Sequence, residues 1–497
     1  MLIRTYILSI TLLFAQSISA QDLSFDLIAN DLAPHPMQAL DKPDYLGTVV
    51  DPSFGTTIRR ITDAGAGETI TTMYSTVQAW NADETRMILY QRPGGIHILL
   101  DGYSYHYVMD LDINPSDLEE VYWHYEDPDL LYYLDDDTQE LIEYNVATTT
   151  ANVIADLRAM TGCTESMLSG NDVQMMSWDA DVICFRCGNE SSWSYRLSDG
   201  TLQEILVNDV QFTAAMPYPS GNRYLHQADV YNADGTYSLT LDIANGGEHS
   251  CIGKDSEGND TYYAVAFADS PGGGCLGEVI AHDPVAGSCR TIIGTELGYA
   301  YPQSGTHISA LSHKNSEGGW LTASMIGYDQ DGQDLLDQEL IIAKITPTSS
   351  DVYRIGHHRS DEDEYDYWGE PHPVISPSGT RVLFSSDWSG SDDGYAVDSY
   401  VIELPIYAEV TATNAEIIID SESISVYPNP IEDRVYIEGI NSDYSVTILD
   451  SAGQVYEVID DSATDCIDLG SLPSGMFFLE IVNNASGDVC LKTMLKE

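Results

Sequence analysis

Positive charge is the first thing this sequence lacks. Its 497 residues hold 20 Lys and Arg against 79 Asp and Glu, a formal net charge of −59. That balance excludes nucleic acid as the expected partner, because a phosphate backbone is held by basic patches. It also sets a condition on any acidic glycan, whose repulsion must be offset by a bound cation or screened by salt. Near seawater salinity the Debye length falls to about 4–5 Å, so a few positive groups can still dominate locally. Long apolar runs are missing as well. Beyond the N-terminus no stretch reaches the roughly eighteen residues that a spanning helix needs. Helical periodicity is almost absent between residues 56 and 405, where short β-rich runs alternate with Gly, Asp, Asn and Pro turns. GxSxG, Walker and HExxH motifs do not occur, which argues against serine hydrolases, nucleotide enzymes and zincin proteases.

What is present points outward from the cell. MLIRTYILSITLLFAQSISA, residues 1–20, has the secretory layout of a basic residue, an apolar run and small residues before Gln21. Eight cysteines suit an oxidising compartment. Six of them fall in two triplets, Cys163/Cys184/Cys187 and Cys251/Cys275/Cys289, with Cys466 and Cys490 following. A triplet cannot pair fully, so one thiol in each stays free or pairs across blades. Cys184 and Cys187 form a CxxC with no second CxxC, which favours disulfides or buried thiols over structural zinc.

A unit of roughly forty to sixty residues recurs, the period of a four-stranded propeller blade. Its last strand is read in LIEYNVATTT (141–150), SYRLSDGTLQEI (194–205), SLTLDIANG (238–246), EVIAHDPVAGS (278–288), LIIAKITPTSS (340–350) and SYVIELP (399–405). STVQAWNADETRMILYQ (75–91) reads as the inner hairpin of a first blade, and TTIRRITD (56–63) as the outer strand that closes the ring. The fold class is therefore all-β. Residues 21–405 form a β-propeller of seven blades, with eight left open, followed by a linker at 406–423 and a small β-sandwich at 424–497. SPSG at 376–379 and PSGN at 219–222 resemble the turns of TolB-like propellers.

The tail carries YPNP at 427–430, a D-x-x-G hairpin at 450–453 and L-P-S-G at 472–475. Together these resemble the type IX secretion sorting domain of Bacteroidetes-type bacteria, departing from it at Met476 and at the acidic Glu497. The resemblance implies handling by the type IX machinery, export through the outer membrane, and release or attachment at the cell surface.

The candidate chemistry rests on histidines. His226, His249, His307 and His372 precede inner strands, where side chains reach the central channel or its mouth. With Arg223 and Glu370, their order resembles oligogalacturonate lyases, propellers that hold a divalent metal near the channel. The resemblance implies metal ligation by His307, Glu370 and His372, where the family's cluster is richer in His and carries a Gln. The cation expected is Mn, Ca or Zn. Cleaving a uronate by β-elimination needs a base for the C5 proton and a positive group for the carboxylate. His249 is assigned as base, Arg223 as carboxylate or enolate stabiliser, and Tyr365, with Tyr367 as a second choice, as proton donor. His226, Arg359 and Trp368 are candidates for contact with an extracellular polysaccharide. The competing expectation is a propeller that binds glycan or protein without catalysis. The loop YDQDGQDLLDQE (328–339) reads as an acidic hairpin, since it lacks the spaced Glu of a calcium loop.

Overall fold

The computed structural model describes residues 22–407 and 425–496, apart from short interruptions. Within 22–407 these are 169–175, 208–213, 244–248, 267–271, 273–274, 276–278, 300–304, 328–329, 361–365, 391–393 and 395, and within 425–496 they include most turns of the tail. The signal segment and Tyr365 lie outside the described residues. The chain divides into two compact units, one ending at Ile406 and the other starting at Tyr407.

The first unit is a seven-bladed propeller. Six antiparallel four-stranded sheets follow each other along the chain, over residues 69–110, 122–155, 167–205, 216–240, 250–293 and 305–357. The seventh sheet takes three strands, Val374–Ile375, Arg381–Ser386 and Asp398–Glu403, and is completed by the N-terminal strands Thr57–Arg60 and Thr48–Val50. Thr57 pairs with Glu403 and Arg60 with Tyr400. This is the expected closure of the ring, with one strand more than expected. Buried Asp398 clamps the closure, accepting from the Thr62 hydroxyl and the Ala64 amide at 2.8 Å, with Lys42 and Arg60 at 2.8 and 2.9 Å.

Burial explains why the repeat is visible and where it misleads. Second strands such as Trp320–Met325 and Arg381–Ser386 are buried along their whole length, because both faces pack on neighbouring blades. Outermost strands such as Thr150–Ala155 are largely exposed. Most runs read as last strands are in fact third strands: Leu141–Asn145, Val279–His282, Glu339–Ile345 and Asp398–Glu403. In 238–246 the run overlaps a true fourth strand, Tyr237–Thr240. The polar fourth strand carries little apolar signal, so the third stood out as a boundary.

The second unit holds a three-stranded and a four-stranded antiparallel sheet. One buried cluster draws on both, with Val435, Ile437 and Ile467 from one and Val446, Ile448 and Leu479 from the other. In the propeller, disulfides join Cys163 to Cys187 and Cys275 to Cys289, while Cys184 and Cys251 form none. Each triplet thus pairs two of its members, and the CxxC is broken by a disulfide to Cys163.

Candidate metal centre and cleft

Inner strands of a propeller converge on its axis, so residues at their starts come from different blades yet meet. His249 immediately precedes the strand Ser250–Lys254, His307 lies in Gly305–Ser309, and His372 stands just before Val374–Ile375. Glu370 follows the short turn Asp366–Gly369. One ligand atom from each of His307, Glu370 and His372 lies within 4.8 Å of the other two. Nδ1 of His307 is 3.1 Å from Oε2 of Glu370. The His307 and His372 rings are 3.9 Å apart between centroids, and His249 stacks on His307 at 4.2 Å. Tyr74 closes the group edge-on, 5.2 Å from His307 and 5.3 Å from His372.

The hydrogen bonding of this group is unusual for a structural core. Nε2 of His372 donates to the Tyr367 carbonyl at 3.2 Å, which fixes the tautomer and leaves the Nδ1 lone pair pointing inward. That Nδ1, and both ring nitrogens of His307, lack a hydrogen-bond partner among the described residues although they are buried. Buried polar atoms normally find partners, and leaving one without costs about 1–3 kcal/mol. Burial holds both imidazoles well below the ordinary histidine range, and each is pushed further down by a neighbour, His249 for His307 and His307 for His372. Both are therefore neutral, the form that ligates metal. Two imidazoles and a carboxylate, with ligand atoms all within 4.8 Å of one another, fit a divalent ion.

Above the group opens a cleft of about 620 Å³, lined by His249, Tyr74, Tyr90, Arg92, Tyr367 and Trp368 among others. Arg92 ends the second strand of the first blade, Arg86–Arg92, and its guanidinium lies 3.6 Å from the Trp368 ring centre. No carboxylate is ion-paired with it among the described residues. Asp117 and Glu119 line the same cleft, and the Tyr367 hydroxyl donates to Oε1 of Glu119 at 3.3 Å. Burial raises the Tyr90 phenol far above its usual range, with Glu119 adding to the effect.

Of the other candidates from the sequence, Arg223, Arg359 and His226 stand outside the trio and the cleft lining. Arg223 begins the strand Arg223–His226, and its charge acts on Asp260 and Tyr218. Asp260 opens the strand Asp260–Val265, about 16 Å long, and it is Val265 at the far end whose amide donates to the His249 carbonyl. Arg223 is thus at the opposite rim from His249, and its assignment beside that base is corrected. Arg359 is buried, donating to the Gln38 carbonyl at 2.8 Å and standing over Trp388, which makes it a packing residue with no access to a glycan. His226 is buried at its hairpin, paired in register with Asp229, outside the metal-competent group. Trp368 is in the cleft. Arg92 was missed by the sequence reading; its signal was its place in QRPGG (91–95), at the end of a second strand.

The comparisons with known proteins follow this geometry. Residues 425–496 match the family described as secretion system C-terminal sorting domain, which implies export to the cell surface or beyond. The propeller is similar to an oligogalacturonate lyase in complex with manganese, with TM-score 0.50 and 16 % identity over 73 % of this chain and 97 % of that one. An oligogalacturonate lyase from Vibrio parahaemolyticus matches with TM-score 0.49 and 15 % identity over 73 % and 99 %. No curated protein matches the chain. At such identities the likeness speaks to the fold alone. No helix among the described residues is long and apolar enough to cross a membrane.

Proposed function

We propose that this chain is an exported polysaccharide lyase that cleaves a uronate-containing glycan by metal-assisted β-elimination. The observation that carries the reading is the buried trio of His307, Glu370 and His372 beside a cleft lined by His249, whose ring stacks on His307. The trio would hold the ion, and imidazole ligands favour manganese or zinc over calcium, which prefers oxygen alone. When bound, such an ion supplies positive charge against the carboxylate as negative charge develops on it. His249 takes the C5 proton on its cleft-facing side, the role imidazole fills most often. Arg92 holds the carboxylate in place of Arg223, its planar fork offering two parallel donors. Trp368 fixes Arg92 from behind, and Tyr74 and Tyr367 pack the histidine rings into one orientation. Tyr90, protonated at working pH, is placed to hand a proton to the leaving oxygen.

The test is to incubate the protein with polygalacturonate, ulvan and alginate and to follow the absorbance of the unsaturated product. Manganese should support a rise on at least one polymer, a chelator should stop it, and His249→Ala should abolish it with metal retained. Binding of a polymer with no absorbance rise on any of them would establish the glycan-binding module instead.

A further inference from the structure

A second group of ligand atoms lies in the outer half of the fifth blade, away from the cleft. His282 ends the third strand, Val279–His282, and is paired in register with Cys289, the first residue of the fourth strand. Residues directly opposite on antiparallel strands project to the same face, about 4.5–5.5 Å apart at Cβ. Cys275 reaches in from the preceding segment, so that one ligand atom each from Cys275, His282 and Cys289 falls within 4.8 Å of the others. Cys275 and Cys289 form a disulfide here. That bond accounts for the two sulfurs but leaves the histidine unexplained. His282 is 0 % exposed, and neither of its ring nitrogens has a hydrogen-bond partner among the described residues. Its ring meets Tyr262 edge-on at 5.9 Å, and the charge of Asp242 acts on it. A cavity of about 250 Å³ is lined by His282 and Cys289 together with Asp260, Asp283 and Arg290.

We propose that Cys275, His282 and Cys289 form a second metal site, for a soft divalent cation such as zinc, which exists only while the disulfide is reduced. A dithiol reductant gives up two electrons and two protons to the disulfide, becoming a disulfide itself and leaving two protein thiols. Zinc then displaces those two thiol protons and binds two thiolates and the neutral imidazole, with a water from the cavity in the fourth position. Reoxidation by a disulfide-bearing partner returns the bond and expels the ion. Two thiolates and an imidazole at these positions suit zinc far better than calcium or magnesium. The buried ring nitrogens of His282, without a hydrogen bond among the described residues, then have a purpose that the oxidised state alone does not supply.

The experiment uses the full chain, reduced without oxygen and freed of reductant, with cobalt(II) as a spectroscopic stand-in for zinc. A thiolate-to-cobalt charge-transfer band should appear in the reduced chain and be absent from the oxidised one. The His307, Glu370 and His372 trio contains no sulfur and cannot give that band. His282→Ala, which keeps both cysteines, should weaken cobalt binding about tenfold or more, and Cys275→Ser should abolish the band. Where the serine variant fails to fold by circular dichroism, zinc protection of the wild-type chain decides. Zinc should slow alkylation of Cys275 and Cys289 but not of Cys163 and Cys187. No band in the reduced chain, a band indifferent to His282→Ala, or alkylation unaffected by zinc would each overturn the proposal.

Discussion

Two of the neighbourhoods in which the propeller buries histidines differ in what the rings touch. At the outer end of the sixth blade, His358 is 0 % exposed, yet both of its nitrogens are satisfied. The Ser360 amide donates to Nδ1 at 3.1 Å, and Nε2 donates to the Met325 carbonyl at 3.2 Å. At the start of that blade's inner strand, His307 is equally buried and has no hydrogen-bond partner for either nitrogen. Burial is common to both and distinguishes nothing. A satisfied imidazole is part of the core, whereas an unsatisfied one facing a carboxylate and a second imidazole has the neighbours of a metal ligand.

The sharpest way to break this contrast is to remove one ring from each neighbourhood. His372→Ala should lose manganese binding and reduce lyase activity to background, with some loss of metal-free stability as well, since the buried ring donates to the Tyr367 carbonyl. His358→Ala should keep the metal and the activity but lose about 2–4 kcal/mol of stability, since it leaves a cavity and two orphaned backbone groups. Metal content by mass spectrometry and denaturant unfolding read the two effects separately. If His358→Ala lost the metal and His372→Ala only lost stability, the distinction drawn here would be reversed.

Within the inner neighbourhood, His249 and the trio can be separated in turn. His249→Ala should lower kcat by about 10²–10⁴ with metal content unchanged. A variant that loses metal and activity together would make His249 a fourth ligand and leave the base unassigned. A smaller effect is expected at the cleft wall. Arg92→Ala should lower kcat/KM by roughly 10–100-fold, corresponding to a charge-assisted hydrogen bond of about 1.5–3 kcal/mol. Glu119→Gln should act the other way, easing the repulsion that a carboxylated glycan meets there. Steady-state kinetics at low and high salt would show both, and the differences should shrink as salt rises.

How much of this was legible beforehand follows from geometry along a strand. The seven blades, the closing strand and the sorting tail all leave periodic or motif-like traces, because turns and apolar strands recur at fixed spacing. His307, Glu370 and His372 could be grouped because all three precede or begin inner strands, which converge whatever the details of the loops. Arg223 and His226 share one short strand, so composition around them looks alike, yet only the end of a second strand reaches the side on which His249 lies. Arg92 occupies that end in the first blade and was hidden in a turn-like QRPGG. Arg359 shows the converse error, since it was expected to contact a polysaccharide while Gln38, Asp51 and Trp388 bury it from distant parts of the chain. The pairing of His282 with Cys289 was unreadable for the same reason, being a matter of register between strands.

The smallest expected effect tests the satisfied side of the comparison by pH. Burial, opposed only by its hydrogen bond to Met325, pulls the His358 imidazole down to about 3, with His357 and Arg359 adding to the depression. The unfolded chain, with an ordinary histidine near 6.5, binds a proton over a range in which the folded protein refuses it. Stability contributed by neutral His358 is therefore fully present above about pH 6.5 and is lost as pH falls towards 3. The slope due to this one group approaches 1.4 kcal/mol per pH unit, roughly, in the middle of that window. His358→Gln keeps a donor and an acceptor but cannot titrate, so its unfolding free energy should fall less steeply between about pH 6 and 4.5 than that of the wild type. Denaturant titrations at a few pH values in that interval measure the difference. Parallel slopes would mean that His358 is charged in the folded protein, and that its two hydrogen bonds do not have the donor and acceptor roles assigned to them.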